Sequence, residues 1–371
     1  MQVTALMPSS SPPSAHPVGY WHALADGRLQ CDLCPRSCRL AGDQAGLCFV
    51  RARQGDHLVL TTYGRSSGFC IDPIEKKPLH HFLPGTPVLS FGTAGCNLTC
   101  QFCQNWDISK SREFDRLQDV ASPEAIARSA AAWGCRSVAY TYNDPVIFLE
   151  YARDTALACR ALGIANVAVT AGYVSSGARE DFFRVMDAAN VDLKAFSEDF
   201  YHRVCGGQLQ PVLETLEYLC RETRVWVEIT TLLIPDLNDS HAELDALTRW
   251  VVDHLGPQVP IHFSAFHPDW KLLDRPRTPL ATLHRARRIA LNNGLWHVYT
   301  GNVHDPEGST TRCHACQAPL IERDGYELQA WRLDVRGACQ QCGTPCYGVF
   351  EPRPGAWGNR RLPVRLQQVP G

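Results

Sequence analysis

Short apolar segments alternate with longer amphipathic segments through the middle of the chain, from about residue 87 to residue 301. The length of the apolar segments and their β-branched and aromatic residues predict buried strands. The predicted strands lie at 88–92, 137–142, 166–171, 191–196, 225–234, 261–266 and 297–301. Strands that alternate with helices form parallel βαβ units. The pattern therefore predicts an α/β fold, either a full or partial (β/α) barrel or a doubly wound open sheet.

Two of the intervening helices have recognisable N-terminal caps. Ser122 is followed by Pro123, and proline is favoured at the first position of a helix. Ser240 is followed three residues later by Glu243, which is the spacing of a capping box. The second helix is also predicted to bury one apolar face, formed by Leu244, Leu247, Val251 and Leu255.

Three of the predicted strands carry polar residues, although a buried parallel strand is normally apolar. Each pair shares one face of its strand: Asp192 with Lys194, Glu228 with Thr230, and His262 with Ser264. Because unpaired polar groups are costly in a core, we interpret the pairs as the lining of a polar cavity, with internal salt bridges as the alternative. The adjacent His80 and His81 are expected in a solvated turn.

Active sites of (β/α) barrels lie at the carboxyl ends of their strands. Six residues with useful chemistry lie just at or after predicted strand ends: Cys96, Asn143, Asp144, Lys194, His267 and Asn302. We therefore expect these six residues at one mouth of the barrel.

The composition is that of a soluble globular protein. The chain has 371 residues, 45% of them hydrophobic and 20% charged, and a formal net charge of −2. This balance gives no electrostatic attraction to nucleic acid or to an anionic membrane, and no apolar run is long enough to predict a membrane span. The Ser- and Pro-rich start lacks the parts of a signal peptide, so residues 1–19 are predicted to form a disordered leader.

Cysteine is unusually frequent, with 17 residues, many of them separated by gaps of only two or three residues. In a chain without a predicted export signal, this favours a cytoplasmic metal-binding protein over a disulfide-stabilised secreted one. Five scattered cysteines are interpreted as ordinary small core residues: Cys70, Cys135, Cys159, Cys205 and Cys220.

The first cysteine group lies near the start of the chain and consists of Cys31, Cys34, Cys38 and Cys48. Four thiols within eighteen residues can complete a tetrahedral shell, and Gly42 and Gly46 allow the loop between them to fold back. Structural zinc and a second iron–sulfur cluster both remain open for this group.

The central group, Cys96, Cys100 and Cys103, has the spacing C-x3-C-x2-C. Ferredoxin-type runs use four cysteines to complete a cluster, whereas three thiolates leave one iron without a protein ligand. Catalysis at a metal requires such an open position. The alternative interpretation is a zinc knuckle.

The last group consists of two C-x2-C knuckles, formed by Cys313 with Cys316 and by Cys339 with Cys342. This arrangement is typical of a zinc ribbon or a rubredoxin-like site. Cys346 is a spare thiol that could replace one ligand. The predicted organisation is a cysteine-rich region over 20–85, a barrel over 86–305 and a zinc-ribbon-like or rubredoxin-like region over 306–371.

The central triplet, with Phe102 just before its last cysteine, resembles the radical S-adenosylmethionine (SAM) superfamily. The resemblance extends from Cys31 to Cys346, where the chain is similar to the radical SAM enzymes of the AmmeMemoRadiSam system, relatives of pyruvate formate-lyase activating enzymes. The segments that carry it are CDLCPRSCRLAGDQAGLC, GCNLTCQFCQNWDIS, YTYNDPVIFLEYA, VDLKAFSEDFY, TTLLIPDLND, HFSAFHPDW, VYTGNV and the two terminal knuckles.

The resemblance implies a partial (β/α)6-type radical SAM barrel flanked by small cysteine-rich metal-binding regions. It also implies one [4Fe–4S] cluster on Cys96, Cys100 and Cys103, with SAM bound at the open iron. In this family an external electron reduces the cluster, and cleavage of SAM then yields a 5′-deoxyadenosyl radical that abstracts hydrogen from a substrate. Zinc is expected at the terminal knuckles.

By the same resemblance, seven residues are carried over as SAM contacts: Phe102, Gln104, Asn143, Asp144, Asp192, Lys194 and His267. The chain departs from the family pattern at two positions. Asp144 stands where glutamate is expected, so its carboxylate reaches less far. Ala171 stands where asparagine is expected, which removes one polar contact.

The resemblance implies two kinds of partner: a flavodoxin-like or ferredoxin-like one-electron reductant, and either a protein substrate or the other AmmeMemoRadiSam proteins. We expect neither a nucleic-acid partner nor a membrane partner. Two alternatives to hydrogen abstraction from an unidentified substrate remain. One is an activase for a glycyl-radical enzyme, and the other is a non-catalytic zinc-binding interaction module.

Overall fold

The structure is a computed structural model that describes residues 15–109 and 119–366. Most of the predicted leader therefore lies outside the described residues. Its predicted disorder is wrong for His16 and Pro17, which pair as a short strand with the segment His57–Leu60. The ring of His16 also stacks on Tyr63, with 3.8 Å between the ring centroids. Backbone pairing and this stacking hold the segment in place.

The strands are numbered in chain order. Strands β1–β10 are His16–Pro17, Trp21–Ala23, Leu29–Cys31, Arg39–Leu40, Arg51–Gln54, His57–Leu60, Arg65–Ser66, Phe69–Pro73, Pro87–Phe91 and Asp119–Val120. Strands β11–β20 are Ser137–Tyr140, Ala165–Thr170, Ala188–Asp192, Trp226–Leu233, Ile261–Ala265, Val298–Gly301, Thr311–Arg312, Pro319–Asp324, Glu327–Trp331 and Leu362–Val364.

The α-helices are numbered in the same way. Helices α1–α9 are Trp106–Ser109, Pro123–Ala132, Leu149–Ala161, Ser176–Phe183, Glu198–Phe200, Gln210–Glu222, His241–Leu255, Leu280–Asn292 and Pro306–Ser309. Short 3-10 helices lie at Ile74–Lys76 and Pro145–Phe148, and a π-helical turn lies at Tyr201–Cys205. Within the described ranges, no helix is long and apolar enough to cross a membrane.

One nine-stranded sheet forms the centre of the molecule, in the order β16-β15-β14-β13-β12-β11-β9-β8-β20. The strands from β16 to β9 run parallel, and neighbours in space follow one another in the sequence. A doubly wound sheet would reverse its strand order, so this order is that of a barrel. Among the described residues β16 pairs only with β15, so the barrel is open. The predicted α/β class and partial barrel are confirmed, with seven parallel strands.

The two cysteine-rich regions both contribute to this sheet. Strand β8 pairs antiparallel with β9, and the C-terminal β20 pairs antiparallel with β8. The predicted boundaries near residues 85 and 305 therefore separate regions that share one sheet. The strands outside this sheet form small antiparallel sheets, in the orders β1-β6-β5, β2-β3-β4, β17-β18-β19 and β10-β7.

Both predicted helix caps are present. The Ser122 hydroxyl accepts a hydrogen bond from Ala125 N at 3.2 Å, and the Ser240 hydroxyl accepts one from Glu243 N at 3.2 Å. The Glu243 carboxylate accepts instead from Phe196 N at 2.8 Å, so its half of the capping box is replaced by a tertiary contact. The four leucine and valine residues of the predicted apolar face of α7 are all buried.

The predicted polar cavity is wrong for Glu228 and His262. These residues lie near the amino ends of β14 and β15, and a buried hydrogen bond of 2.7 Å joins His262 Nε2 to the Glu228 carboxylate. The Glu228 carboxylate also accepts hydrogen bonds from the backbone N–H groups of His80 and His81, at 3.0 and 2.7 Å. Both histidines are buried, and not in a solvated turn, because this carboxylate and the C-terminal region enclose them.

Candidate active site and metal centres

The three central cysteines lie in the loop that leaves the carboxyl end of β9 and leads to α1. Asn143, which follows β11, holds the beginning of this loop. Its side-chain oxygen accepts from Thr93 N at 3.0 Å, and its amide nitrogen donates to the Gly95 carbonyl at 2.9 Å. The side chain is buried. Asn143 therefore sets the direction in which the chain approaches Cys96.

The N-terminal region packs directly against the same loop. Gly95 has a φ of +84°, and a Cβ at this position would collide with the Cys48 carbonyl oxygen. Only glycine accommodates both the left-handed backbone and the close approach. The guanidinium of Arg36 donates to the Asn97 carbonyl at 2.9 Å and also to the Gly206 carbonyl. The first cysteine group and the central triplet are thereby held next to each other.

The π-helical turn Tyr201–Cys205 supports the second half of the loop. Backbone N–H groups of Thr99 and Gln101 donate to the carbonyls of Cys205 and Val204, at 2.8 and 3.0 Å. The Cys205 thiol is hydrogen-bonded to Cys100, and burial together with this bond raises the pKa of Cys205 well above its usual value. The neutral Cys205 thiol therefore donates to the Cys100 sulfur. The prediction of an ordinary core thiol at Cys205 misses this contact, because nothing in the neighbouring sequence indicates it.

A lysine–aspartate pair lies beside the loop, at the carboxyl end of β13. The Lys194 ammonium is 2.8 Å from the Asp192 carboxylate and 5.9 Å from the centroid of the Phe102 ring. Burial opposes the charge of Lys194, but the Asp192 carboxylate raises the pKa of the ammonium well above its usual value. A positive charge is therefore maintained next to the cluster cysteines.

Gln104 and His267 form a second pair at the mouth. The Gln104 amide nitrogen is 3.1 Å from His267 Nδ1, and the other ring nitrogen is 3.8 Å from the Asp269 carboxylate. Gln104 lies in the loop between β9 and α1 that carries the three cysteines, which we call the cluster loop. His267 follows β15, so residues far apart in the sequence meet here. Both side chains are exposed and accessible to a ligand.

Asp144 is fully engaged within the protein. Its carboxylate accepts hydrogen bonds from Val146 N at 3.0 Å, Thr170 Oγ1 at 3.0 Å and Ala171 N at 2.9 Å. Burial raises the pKa of this carboxyl. The bond to Ala171 N joins the two positions at which the chain departs from the family pattern. A contact of Asn143 or Asp144 with SAM stays a prediction.

A cavity of about 390 Å³ opens beside Cys96. Residues from the N-terminal region, the cluster loop and the segment after β15 line it: Leu47, Phe49, Cys96, Leu98, Thr99, Gln101, Ser109, Arg203, Trp270 and Lys271. It is large enough for a ligand of moderate size next to a cluster thiol. Asn302, the sixth residue expected at the mouth, donates to the Ala265 carbonyl at 3.1 Å and joins the ends of β15 and β16.

The two terminal knuckles meet as predicted. The four sulfurs of Cys313, Cys316, Cys339 and Cys342 all lie within 4.8 Å of one another. Cys313 and Cys342 are 3.6 Å apart, and Cys316 and Cys339 are 3.8 Å apart. The hydroxyl and backbone N–H of Thr344 lower the pKa of Cys342 to about 6. Four converging thiols with one already acidic can hold a single tetrahedral metal ion.

The N-terminal thiols converge differently. Cys31, Cys34, Cys38 and Cys48 line one small cavity, together with Arg36 and Arg51. Burial raises the pKa of Cys31, Cys34 and Cys48. Their sulfurs nevertheless accept hydrogen bonds from backbone N–H groups, which belong to Leu33, Arg36, Val50 and Arg51. Such donors favour thiolates, as a metal requires.

The site is a loop that carries Cys96, Cys100 and Cys103 at the carboxyl edge of a parallel α/β barrel. Residues 91–247 form a domain of the Radical SAM superfamily, whose model matches them. Membership implies a [4Fe–4S] cluster and SAM. Three thiol donors on one anchored loop, with Cys96 at a cavity and the Lys194–Asp192 pair beside the loop, are residues that fit both groups.

Three relatives are similar to this chain. The uncharacterized protein MJ0808 of Methanocaldococcus jannaschii is 40% identical over 325 residues, which cover 87% of this chain and 96% of that protein. The benzylsuccinate synthase activating enzyme of Thauera aromatica is 28% identical over 152 residues, 41% of this chain and 44% of that enzyme. The pyruvate formate-lyase 1-activating enzyme of Escherichia coli K12 is 24% identical over 178 residues, 45% of this chain and 70% of that enzyme.

Proposed function

We propose that this protein holds a [4Fe–4S] cluster on Cys96, Cys100 and Cys103 and uses SAM to abstract a hydrogen atom from a substrate. When bound, the reduced cluster would supply the electron that splits SAM into methionine and a 5′-deoxyadenosyl radical. The observation that carries the proposal is the loop itself. It is anchored by Asn143 and by the turn at Tyr201–Cys205, and it carries three thiols, of which that of Cys96 lines a cavity.

The residues around the loop support the proposal. The SAM contacts we propose are Phe102, Gln104, Asn143, Asp144, Asp192, Lys194 and His267. Lys194 and Asp192 supply a fixed charge pair beside Phe102, whereas Gln104 and His267 are the exposed polar groups of the mouth. Asn143 and Asp144 hold the surrounding backbone, so their proposed role includes positioning the site.

The test is reductive SAM cleavage by anaerobically purified protein. Dithionite-reduced wild type should form 5′-deoxyadenosine, and the paramagnetic signal of its reduced cluster should change when SAM is added. Cys100→Ala should lose both properties. The matched control is Cys135→Ala, which removes a buried thiol outside all three cysteine groups and should keep both. Continued formation of 5′-deoxyadenosine by Cys100→Ala would refute the proposal.

The substrate we favour is a protein, as for an activase of a glycyl-radical enzyme. This choice is supported by the similarity to two enzymes whose names describe them as activating enzymes. The test separates extracts of the source organism with a 10 kDa filter. Only the retained fraction should stimulate 5′-deoxyadenosine formation. Stimulation by the filtrate would instead indicate a small-molecule substrate. Assignment to the AmmeMemoRadiSam system, and partnership with its other proteins, belongs to the same proposal.

We further propose zinc at the four C-terminal thiols and a second iron–sulfur cluster at Cys31, Cys34, Cys38 and Cys48. Among the described cysteine groups, only the four C-terminal thiols have sulfurs that all lie within 4.8 Å of one another, which is close enough for all four to bind a single metal ion. The N-terminal thiols, like the central triplet, lie outside such groups. Close to eight irons per chain would support this assignment, and close to four irons with extra zinc would contradict it. Zinc alone would favour the non-catalytic module.

The remaining parts of the proposal concern the surroundings of the enzyme. A flavodoxin-like or ferredoxin-like protein would supply single electrons to the central cluster. We propose a cytoplasmic location, because an iron with an open position and many unpaired thiols require a reducing compartment. Replacement of dithionite by such a reductant in the cleavage assay would test the first point.

A further inference from the structure

Two histidines and one cysteine meet at the end of the barrel opposite to the cluster loop. His81 lies before β9, His297 lies directly before β16, and Cys346 belongs to the C-terminal region. Their ligand atoms all lie within 4.8 Å of one another, and all three side chains are buried. Because parallel strands share one direction, the length of a strand, roughly 15 Å, separates these residues from the cluster loop.

His297 provides an observation that points to a ligand. Its side chain is 2% exposed, yet neither ring nitrogen has a hydrogen-bond partner among the described residues. Buried polar atoms are usually paired, and an unpaired one costs about 1–3 kcal/mol. The imidazole ring faces His81, with 4.4 Å between the ring centroids. A metal ion between them would satisfy one of the unpaired nitrogens.

His81 already has the surroundings of a metal ligand. Its Nδ1 is 3.9 Å from the Cys346 sulfur, and its Nε2 is 2.5 Å from the Tyr299 hydroxyl, which is 2.8 Å from Thr311 Oγ1. Ligating histidines commonly donate their second ring N–H to such a partner. If Nδ1 binds an ion, the Nε2 proton is donated to Tyr299, whose own proton is donated to Thr311.

One carbonyl must adjust when an ion binds. The Tyr347 carbonyl oxygen is 2.6 Å from His81 Nδ1 and 4.0 Å from the Cys346 sulfur. It accepts the Nδ1 proton without a metal. On metal binding that proton moves from Nδ1 to Nε2, and the carbonyl either withdraws or becomes a ligand itself. Tyr347 is half-exposed, so its backbone has room to move.

Cys346 is available for this role. Four thiols already complete the neighbouring tetrahedral group, so a fifth is not needed there. Burial raises the pKa of the Cys346 thiol to about 12, and it lowers the pKa of His297 to about 3. Burial also lowers the pKa of His81. The histidines are therefore neutral near pH 7, as ligands must be, and the thiol would ionise on binding a cation.

We propose that His81, His297 and Cys346 form a separate binding site for one Zn²⁺ ion. Two imidazoles and one thiolate are ligands that zinc prefers. The ion would join a loop before the first barrel strand, the start of the last barrel strand and the C-terminal region. It would act as a structural clamp at the amino end of the barrel, which the C-terminal region covers and which we call the closed end. This site does not depend on the proposed enzymatic function.

The test is the zinc content of the full-length protein after anaerobic purification. His297→Gln and Cys346→Ser should each contain about one zinc per chain less than the wild type, with unchanged iron. Cys135→Ser is the matched control, since it alters a buried thiol outside the groups and should keep the wild-type zinc content. Correctly folded variants, as judged by circular dichroism, that retain all wild-type zinc would overturn the proposal.

X-ray absorption at the zinc edge of the wild-type protein provides a second test that requires no variant. Zinc in the four-thiol group alone would have only sulfur neighbours, whereas the additional site adds a clear nitrogen contribution. A spectrum with sulfur neighbours only would also overturn the proposal. Failure of SAM cleavage would leave both zinc measurements unaffected, so the two proposals can fail separately.

Discussion

The buried ion pair between Arg51 and Glu150 fastens the N-terminal cysteine region to the barrel. The two guanidinium nitrogens of Arg51 lie 2.7 and 3.0 Å from the two carboxylate oxygens of Glu150 in α3, and both side chains are almost fully buried. Arg51 also donates to the Gly19 carbonyl at 2.8 Å and to the Cys31 sulfur. We expect Glu150→Gln to loosen this region more than most single substitutions.

The magnitude follows from burial. Removal of one partner of a buried ion pair leaves an uncompensated charge and costs about 3–5 kcal/mol. If Glu150→Gln lowers the free energy of local opening of the N-terminal region by this amount, amide exchange there should accelerate roughly 100- to 4,000-fold, since about 1.4 kcal/mol corresponds to a factor of ten. A double variant, Arg51→Met with Glu150→Leu, removes both charges and should recover most of the protection.

Hydrogen–deuterium exchange with mass spectrometry measures this effect peptide by peptide. The acceleration should be confined to peptides of the first sixty residues and the facing part of α3. The matched control is Asp245→Asn, which breaks the exposed ion pair with Arg249 in α7 and should change exchange little. Exchange in Glu150→Gln that is no faster than in this control, or a double variant no better protected than the single one, would refute the reasoning.

Three further predictions follow from the cluster loop and the closed end of the barrel. Asn143→Ala removes four buried hydrogen bonds of the loop, which should lower the stability of the loop by at least about 2 kcal/mol. Metal analysis should then show a severalfold lower iron content, and full iron retention would contradict this prediction. Cys205→Ala removes a donor to Cys100 and should lower the cluster potential in a redox titration by about 20–60 mV, with a smaller shift for Cys205→Ser. Burial raises the pKa of Glu75 to about 7 from 4.5, although the charge of Arg323 opposes this shift, so the folded state holds its proton more tightly than the unfolded state. The contribution of Glu75 to stability therefore falls as the pH rises from about 4.5 to 7. Denaturation curves at several pH values should show this decline for the wild type and not for Glu75→Gln. Parallel pH profiles of stability for the two proteins would contradict the prediction.

Features encoded by neighbouring residues were predictable from the sequence. The helix beginning after Ser122 and the strands of the sheet depend on local patterns of caps and apolar residues, and they appear close to the predicted positions. The thiol pairs of each C-x2-C knuckle are likewise local. The open barrel followed from the alternation of strands and helices together with the family resemblance.

Contacts between distant residues were not predictable in this way. His81 meets Cys346 across 265 positions, and the β20 strand joins β8 from the far end of the chain. The sequence does not show at which end of its strand a polar side chain meets a partner. For this reason the polar residues Glu228 and His262 predicted a cavity and not a buried pair. A buried pair and an active-site pair have the same local spacing, and only the tertiary structure distinguishes them.

The two ends of the barrel have different physical roles. At one end the described residues leave a cavity beside Cys96, lined by polar groups such as Arg203 and Lys271, and the exposed Gln104 and His267 lie at the same end of the barrel. At the other end Glu228 holds His80, His81 and His262, and the C-terminal region covers them, with Arg323 donating to the His80 carbonyl at 2.7 Å. Opening that end would expose several paired groups at once, which is costly. We therefore expect SAM and the substrate to enter from the cluster end, while the C-terminal region serves stability.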